Sequence, residues 1–157
     1  HEGYKELKNK LKTNIAGGEA EFTKWGWKHL IQNRCIDIAQ PEVCGLGGIT
    51  EYLKVVALAQ ANFIPVVNHV WGSALSIAVN LHLLTAMPDT PGGLFPAKPM
   101  LEFDTTDNNI FISDLTEEKF DVFDQVKNNN GFVKVLEGHG IGLNPSKNFI
   151  KKYETSK

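Results

Sequence analysis

The sequence predicts an α/β protein with a parallel sheet, and three observations predict it. Four short apolar runs are continuous rather than alternating, as in strands buried on both faces. Each run ends in a polar or Gly-rich turn. Amphipathic segments of helical period separate them, which is the pattern of strands joined by helical crossovers.

The elements follow in order. Tyr4 to Leu11 reads as a helix, and Thr13 to Ala16 as a short strand closed by Gly17, Gly18 and Glu19. Phe22 to Asn33 is helical, with Trp25, Leu30 and Ile31 as apolar positions. Ile36 to Ala39 is a strand ended by Gln40, Pro41 and Glu42. Gly47 and Gly48 open a helix from about Thr50 to Ala61, with Thr50 as its N-cap and Leu53, Val56 and Ala57 on its buried face. Ile64 to Asn68 is a β-branched strand with His69 at its end. Ser73 to Met87 is apolar on nearly every side and is expected to be a buried helix. Pro88 to Pro99 is a Pro/Gly loop, and Met100 to Phe103 the last short strand, carrying Glu102. In the tail, Asn128 to Gly131 is a turn and Phe132 to Leu136 a strand. Pro145 opens a final helix ending near Tyr153.

Composition excludes several classes. The chain of 157 residues is 42% hydrophobic and 22% charged, which suits one soluble globular domain. Net charge is −2, so no field favours nucleic acid or an anionic membrane. The densest basic stretch, Lys5 to Lys12, alternates with Leu7 and Leu11 and reads as a solvated helix face. No apolar run is long enough to span a bilayer, and the start lacks a signal-peptide pattern. Cys35 and Cys44 have no zinc-like spacing and read as two buried, reduced thiols, which places the protein in the cytoplasm. His1 falls inside what reads as a helix entry, so preceding residues are expected to be missing.

Ionisable residues stand at four successive strand ends: Glu19, Glu42, His69 and Glu102. Parallel barrels gather their chemistry at the C-terminal ends of strands. Singly, a strand-end Glu is as well explained by a helix cap, and a strand-end His by a structural hydrogen bond. Their regular placement favours a site.

Specific runs sharpen this. IAGGE, IDIAQPEVCGLGGITEYLKVVALA and IPVVNHVWGS resemble consecutive strand-turn-helix units of the mandelate racemase and muconate lactonizing family of the enolase superfamily. PMLEFD resembles that family's eighth-strand motif, and GFVKVLEGHGIGLNP its closing segment. HVWGS and MLEFD are most similar to the galactarolactone cycloisomerase and acid-sugar dehydratase branch. The resemblance implies the C-terminal half of a TIM-type (β/α) barrel with a C-terminal return segment. Residues 1–127 would be the last four βα units, and 128–157 would pack toward an N-terminal capping domain.

The resemblance also implies a chemistry. Glu19 matches a carboxylate ligand of Mg2+, His69 the base of a His–Asp dyad, and Glu102 an eighth-strand carboxylate that hydrogen-bonds the enolate or donates a proton. Glu42 matches the dyad carboxylate. The family usually has Asp there, or Lys in the lactonizing and dipeptide-epimerase branches. The implied reaction removes the proton α to the carboxylate of an acid sugar or its lactone, followed by dehydration or cycloisomerisation. The family pattern also needs a capping lid, a second-strand Lys base and two earlier metal carboxylates, for which this sequence has no place. The alternative is therefore a catalytically incomplete half-barrel, with weak or no Mg2+ binding, that acts as a structural or oligomerising module. A generic α/β binding module is a third reading. A homo-oligomer is expected, since a half-barrel leaves strand edges unpaired. Trp71 either walls the pocket or is a core aromatic. His29, His82 and His139 are assigned no chemistry.

Overall fold

The computed structural model describes residues 1–87, 100–105 and 109–155. The Pro88–Pro99 loop of the sequence reading lies outside the described residues. The elements are α1 (Glu2–Lys10), β1 (Ala16–Gly17), α2 (Thr23–Gln32), β2 (Ile38–Ala39), α3 (Val43–Leu46), α4 (Ile49–Ala61), α5 (Ala74–Ala86), α6 (Ile110–Ser113), α7 (Val122–Asn128) and α8 (Lys147–Tyr153). They form two compact units, one of His1–His69 with Leu83–Glu102 and one of Val70–His82 with Phe103–Lys157. No helix among the described residues is long and apolar enough to cross a membrane.

The first unit holds the parallel sheet. β1 pairs with β2 in parallel, Ala16 opposite Ile38 and Gly17 opposite Ala39. Single parallel bridges continue the order, Ala39 to Val66 and Asn68 to Leu101. All four expected strand positions therefore lie side by side in chain order. Pairing is shorter than the apolar runs suggest. Ile15, expected inside the first strand, gives its N–H to the Asp37 carboxylate at 2.9 Å instead of to a neighbouring strand. Lys8 reaches the same carboxylate at 2.7 Å and donates to the Ile36 carbonyl at 3.0 Å, so α1 is clipped onto the entry of β2. The Lys8 ammonium and the Ile15 amide hold the Asp37 carboxyl below its usual range. The rest of the basic stretch is exposed as expected, and α1 buries no residue.

Helix phases are corrected in two places. In α2 the buried positions are Trp27, Leu30 and Ile31, at the i, i+3, i+4 spacing of one face, and Trp25 points to solvent at 64% exposure. In α4 they are Tyr52, Val55, Val56 and Ala59, whereas the expected Leu53 and Ala57 are exposed. Thr50 is not the cap of α4. Gly48 is, at φ +83° and ψ −176°, a conformation open only to glycine, so the cap lies two residues earlier than expected. Between β2 and α4 lies the short α3, which the sequence reading passed over.

α5 is buried through Ala74, Ile77, Ala78, Leu81, Leu83 and Leu84, as its apolar composition predicts. In the second unit the expected Phe132–Leu136 strand does not form; Lys134 instead gives its N–H to the Gln125 side chain at 3.0 Å. α6 and α7, too short for a clear period, were not foreseen. The last helix begins after Ser146, whose hydroxyl accepts from the Phe149 N–H at 3.3 Å, while Pro145 stays outside it in an antiparallel bridge to Thr116. Neither cysteine is in a disulfide; Cys35 is buried as expected and Cys44 is exposed. The expected burial of Cys44 is thus corrected: it lies on the outward side of α3.

Candidate active site

The four strand-end residues lie within the first unit, and three of them surround the fourth. His69 follows Asn68, the bridge partner of Leu101. Asn68 is fully buried and accepts a hydrogen bond from the equally buried Tyr52 hydroxyl. Burial pushes the Tyr52 phenol well above its ordinary range, so it stays a neutral donor that pins this strand end. Tyr52 and Asn68 were missed in the sequence. The one available signal was a polar Asn closing an otherwise apolar strand.

Both imidazole nitrogens face carboxylates. His69 Nδ1 lies 3.1 Å from Glu42 Oε2 and Nε2 lies 2.9 Å from Glu19 Oε2. Glu102 Oε2 is farther from Nε2, at 4.0 Å. Exposure separates the partners: the side chain of Glu42 is 14% exposed, that of His69 18%, Glu102 46% and Glu19 62%. Glu42 is thus a settled partner and Glu19 a solvent-facing one. An ionised carboxylate only accepts, so with both contacts made the ring donates from both nitrogens.

The turn that carries Glu19 is set by two glycines. At Gly17 the Tyr4 ring approaches so closely that a Cβ would lie 2.9 Å from its hydroxyl. Gly18, at φ +112°, lies against the fully buried Trp27, where a Cβ would come within 2.3 Å of the indole. β2 delivers Glu42 differently. Its Oε1 accepts from the Cys44 N–H at 2.9 Å, which makes Glu42 the N-cap of α3, while its other oxygen serves His69. The cap reading and the site reading of Glu42 both describe the same carboxylate.

A family model described as enolase C-terminal domain-like matches residues 1–149. The chain belongs to this family. Three relatives show how this enolase C-terminal domain-like chain compares. It is 31% identical over 139 residues to D-galactarolactone cycloisomerase of Agrobacterium fabrum, an alignment covering 88% of this chain and 35% of that protein. It is 26% identical over 148 residues to arabinonate dehydratase of Saccharolobus solfataricus, covering 94% of this chain and 35% of that one. The crystal structure of 3,6-anhydro-D-galactonate cycloisomerase from Zobellia galactanivorans superposes with a TM-score of 0.76 at 29% identity, covering 97% of this chain and 39% of that one. The fold expected from the sequence is therefore the fold found, and the chain spans about a third of the length of these relatives.

The donor set bears on a metal. Glu19 offers an exposed carboxylate, the hard oxygen ligand a divalent cation such as Mg2+ prefers. Among the described residues no group of three or more His, Cys, Asp or Glu side chains is arranged to hold a metal ion. The carboxylates gather around the imidazole instead of around a common point. Glu19 thus fits as one ligand of a set that the described residues do not complete. Trp71, in the other unit, is 75% exposed, which removes the core-aromatic reading. His29 is exposed beside His1, His82 lies 3.2 Å from the Ile141 carbonyl, and His139 is exposed.

Proposed function

We propose that this chain is the C-terminal part of an enolase-superfamily enzyme that removes the proton α to the carboxylate of an acid sugar or its lactone, leading to dehydration or cycloisomerisation. One observation carries the reading: a strand-end imidazole with Nδ1 on a mostly buried carboxylate and Nε2 turned toward a solvent-facing one. Glu42 fixes the ring's orientation, and its charge favours the imidazolium formed when Nε2 takes the proton. On this reading Glu102, 4.0 Å from Nε2 of His69, hydrogen-bonds the substrate oxygen on which charge develops. Glu19 is the residue of this chain that would hold Mg2+. When bound, the cation supplies electrostatic stabilisation of the charge developing on the substrate carboxylate. The acid-sugar class is taken from the names of the two curated relatives.

The test uses a longer enzyme carrying this segment. His69→Asn is expected to abolish exchange of the substrate α-proton with solvent deuterium from one face. Undiminished exchange would remove His69 as the base.

A second reading is supported by the incomplete ligand set. On it, the chain alone is a structural or oligomerising half-barrel that completes no metal site.

A further inference from the structure

Asn68 is where the strand ends carrying His69 and Glu102 meet. It closes the apolar run Ile64–Asn68, precedes His69, and forms a single parallel bridge to Leu101. In that bridge its carbonyl accepts the Glu102 N–H at 3.2 Å. The carbonyl belongs to the planar peptide group that joins Asn68 to His69, so a turn of this group moves His69 and the acceptor of Glu102 together. The other edge of the run is held more tightly. There the Val67 N–H donates to the Ala39 carbonyl and the Ala39 N–H to the Pro65 carbonyl, each at 2.9 Å. A pairing of one bridge specifies register weakly, and a slip of one residue would put Leu101 or Phe103 where Glu102 stands.

A second bond ends on the same residue. The Tyr52 hydroxyl, from α4, donates to Asn68 Oδ1, and both residues are fully buried. The hydroxyl also lies 3.4 Å from Met87 Sδ, but a thioether is a weak acceptor, so its one hydrogen goes to Asn68. Packing alone does not call for this pair. Phe and Leu have nearly the same shapes, and replacing both partners of a buried hydrogen bond by apolar groups is nearly neutral or stabilising. What the polar pair adds is one defined arrangement, because a satisfied buried bond rigidifies its surroundings.

We propose that Tyr52 is a positioning residue of this site: its hydroxyl, acting through Asn68, sets the register of the Glu102 strand end against His69. The proposal rests on the reading of His69 and Glu102 as site residues and names what holds them in step. It requires no change of charge on any of these groups.

The experiment is amide hydrogen exchange, read by 1H–15N NMR on the 157-residue chain, with thermal melting of the same samples. It needs no substrate, metal or turnover, so its failure is distinct from failure of the proton-exchange assay. The Glu102 amide reports the bridge to Asn68, and the Val67 amide, on the opposite edge of the same run, is the internal reference. Tyr52→Phe is expected to lower the melting point and to quicken exchange at Glu102 relative to Val67 by about two- to tenfold. Tyr52→Phe/Asn68→Leu is expected to restore the melting point while leaving the Glu102 exchange fast. A role in stability alone gives a different pattern: both amides quicken together in the single variant, and both recover in the double one. The inference is overturned if the Glu102-to-Val67 ratio in Tyr52→Phe equals that of wild type, or if the double variant recovers the wild-type ratio along with its melting point. Should Tyr52→Phe be too unstable to measure, the double variant decides alone.

Discussion

Gly18→Ala is the substitution on which the site's architecture can be tested most sharply. The added Cβ would lie 2.3, 2.7 and 3.0 Å from three ring carbons of Trp27, against ordinary carbon contacts of about 3.5–4.0 Å. Trp27 is fully buried in the face that α2 turns to the core, so the ring has no free direction in which to retreat. The backbone at position 18 also holds φ +112°, which alanine adopts only under strain. Strain of this kind costs about 1–3 kcal/mol, and overpacking a filled core about 1–3 kcal/mol more. The expected loss is about 2–6 kcal/mol, or a melting point lower by roughly 5–20 °C for a chain of this size. Thermal unfolding followed by circular dichroism measures it. Gly3→Ala is the control, because a Cβ there meets nothing within 4 Å and the residue sits inside α1. It should leave the melting point unchanged or raise it slightly. A Gly18→Ala variant that melts within 2 °C of wild type would refute the close packing of Trp27 behind the Glu19 turn.

Two further expectations concern charge and assembly. The Glu51 carboxyl is held down to about 2 by the Lys54 ammonium and the Lys24 backbone N–H, and secondarily by the Lys24 ammonium. A depressed carboxyl contributes stability above its ordinary value of 4.5 and loses it as pH falls from there toward 2. Glu51→Gln should therefore flatten the fall in urea midpoint between neutral pH and about pH 3, and an unchanged slope would contradict the assignment. On the incomplete ligand set, the 157-residue chain should turn over no acid sugar with Mg2+ present and should sediment as an oligomer. Measurable turnover, or a monodisperse monomer, would count against that reading.

What the sequence made legible was the order of the sheet and the residues at its strand ends. Continuous β-branched runs such as Ile64–Asn68 mark buried strands whatever their pairing, and Glu19, Glu42, His69 and Glu102 sit next to the turns that end those runs. Their mutual distances could not be read, since they depend on which oxygen of each carboxylate turns inward. The phase of α4 was misjudged because Leu53 and Tyr52 are both large and apolar. The buried hydrogen bond from Tyr52 to Asn68, a contact 16 residues away, decides between them. α3 escaped notice because four residues hold barely one turn and show no period. The Phe132–Leu136 run has strand composition, but among the described residues no strand pairs with it, and without a partner an extended run stays irregular.

The clip between Lys8 and the β2 entry bears on how the unit comes apart. α1 has nine residues and buries none, too short to persist as a helix by its own hydrogen bonds. Its helicity is borrowed from two fixings, Lys8 on Asp37 and Ile36, and the Tyr4 ring over Gly17. Both fixings end on the β1–β2 pair. The amides of α1 thus act as a gauge on that pair: they stay protected from exchange while the two strands are joined and become free once they part, before the deeper α2–α4 packing is lost. Protection in α1 would then report the state of the strand turns that present Glu19 and Glu42.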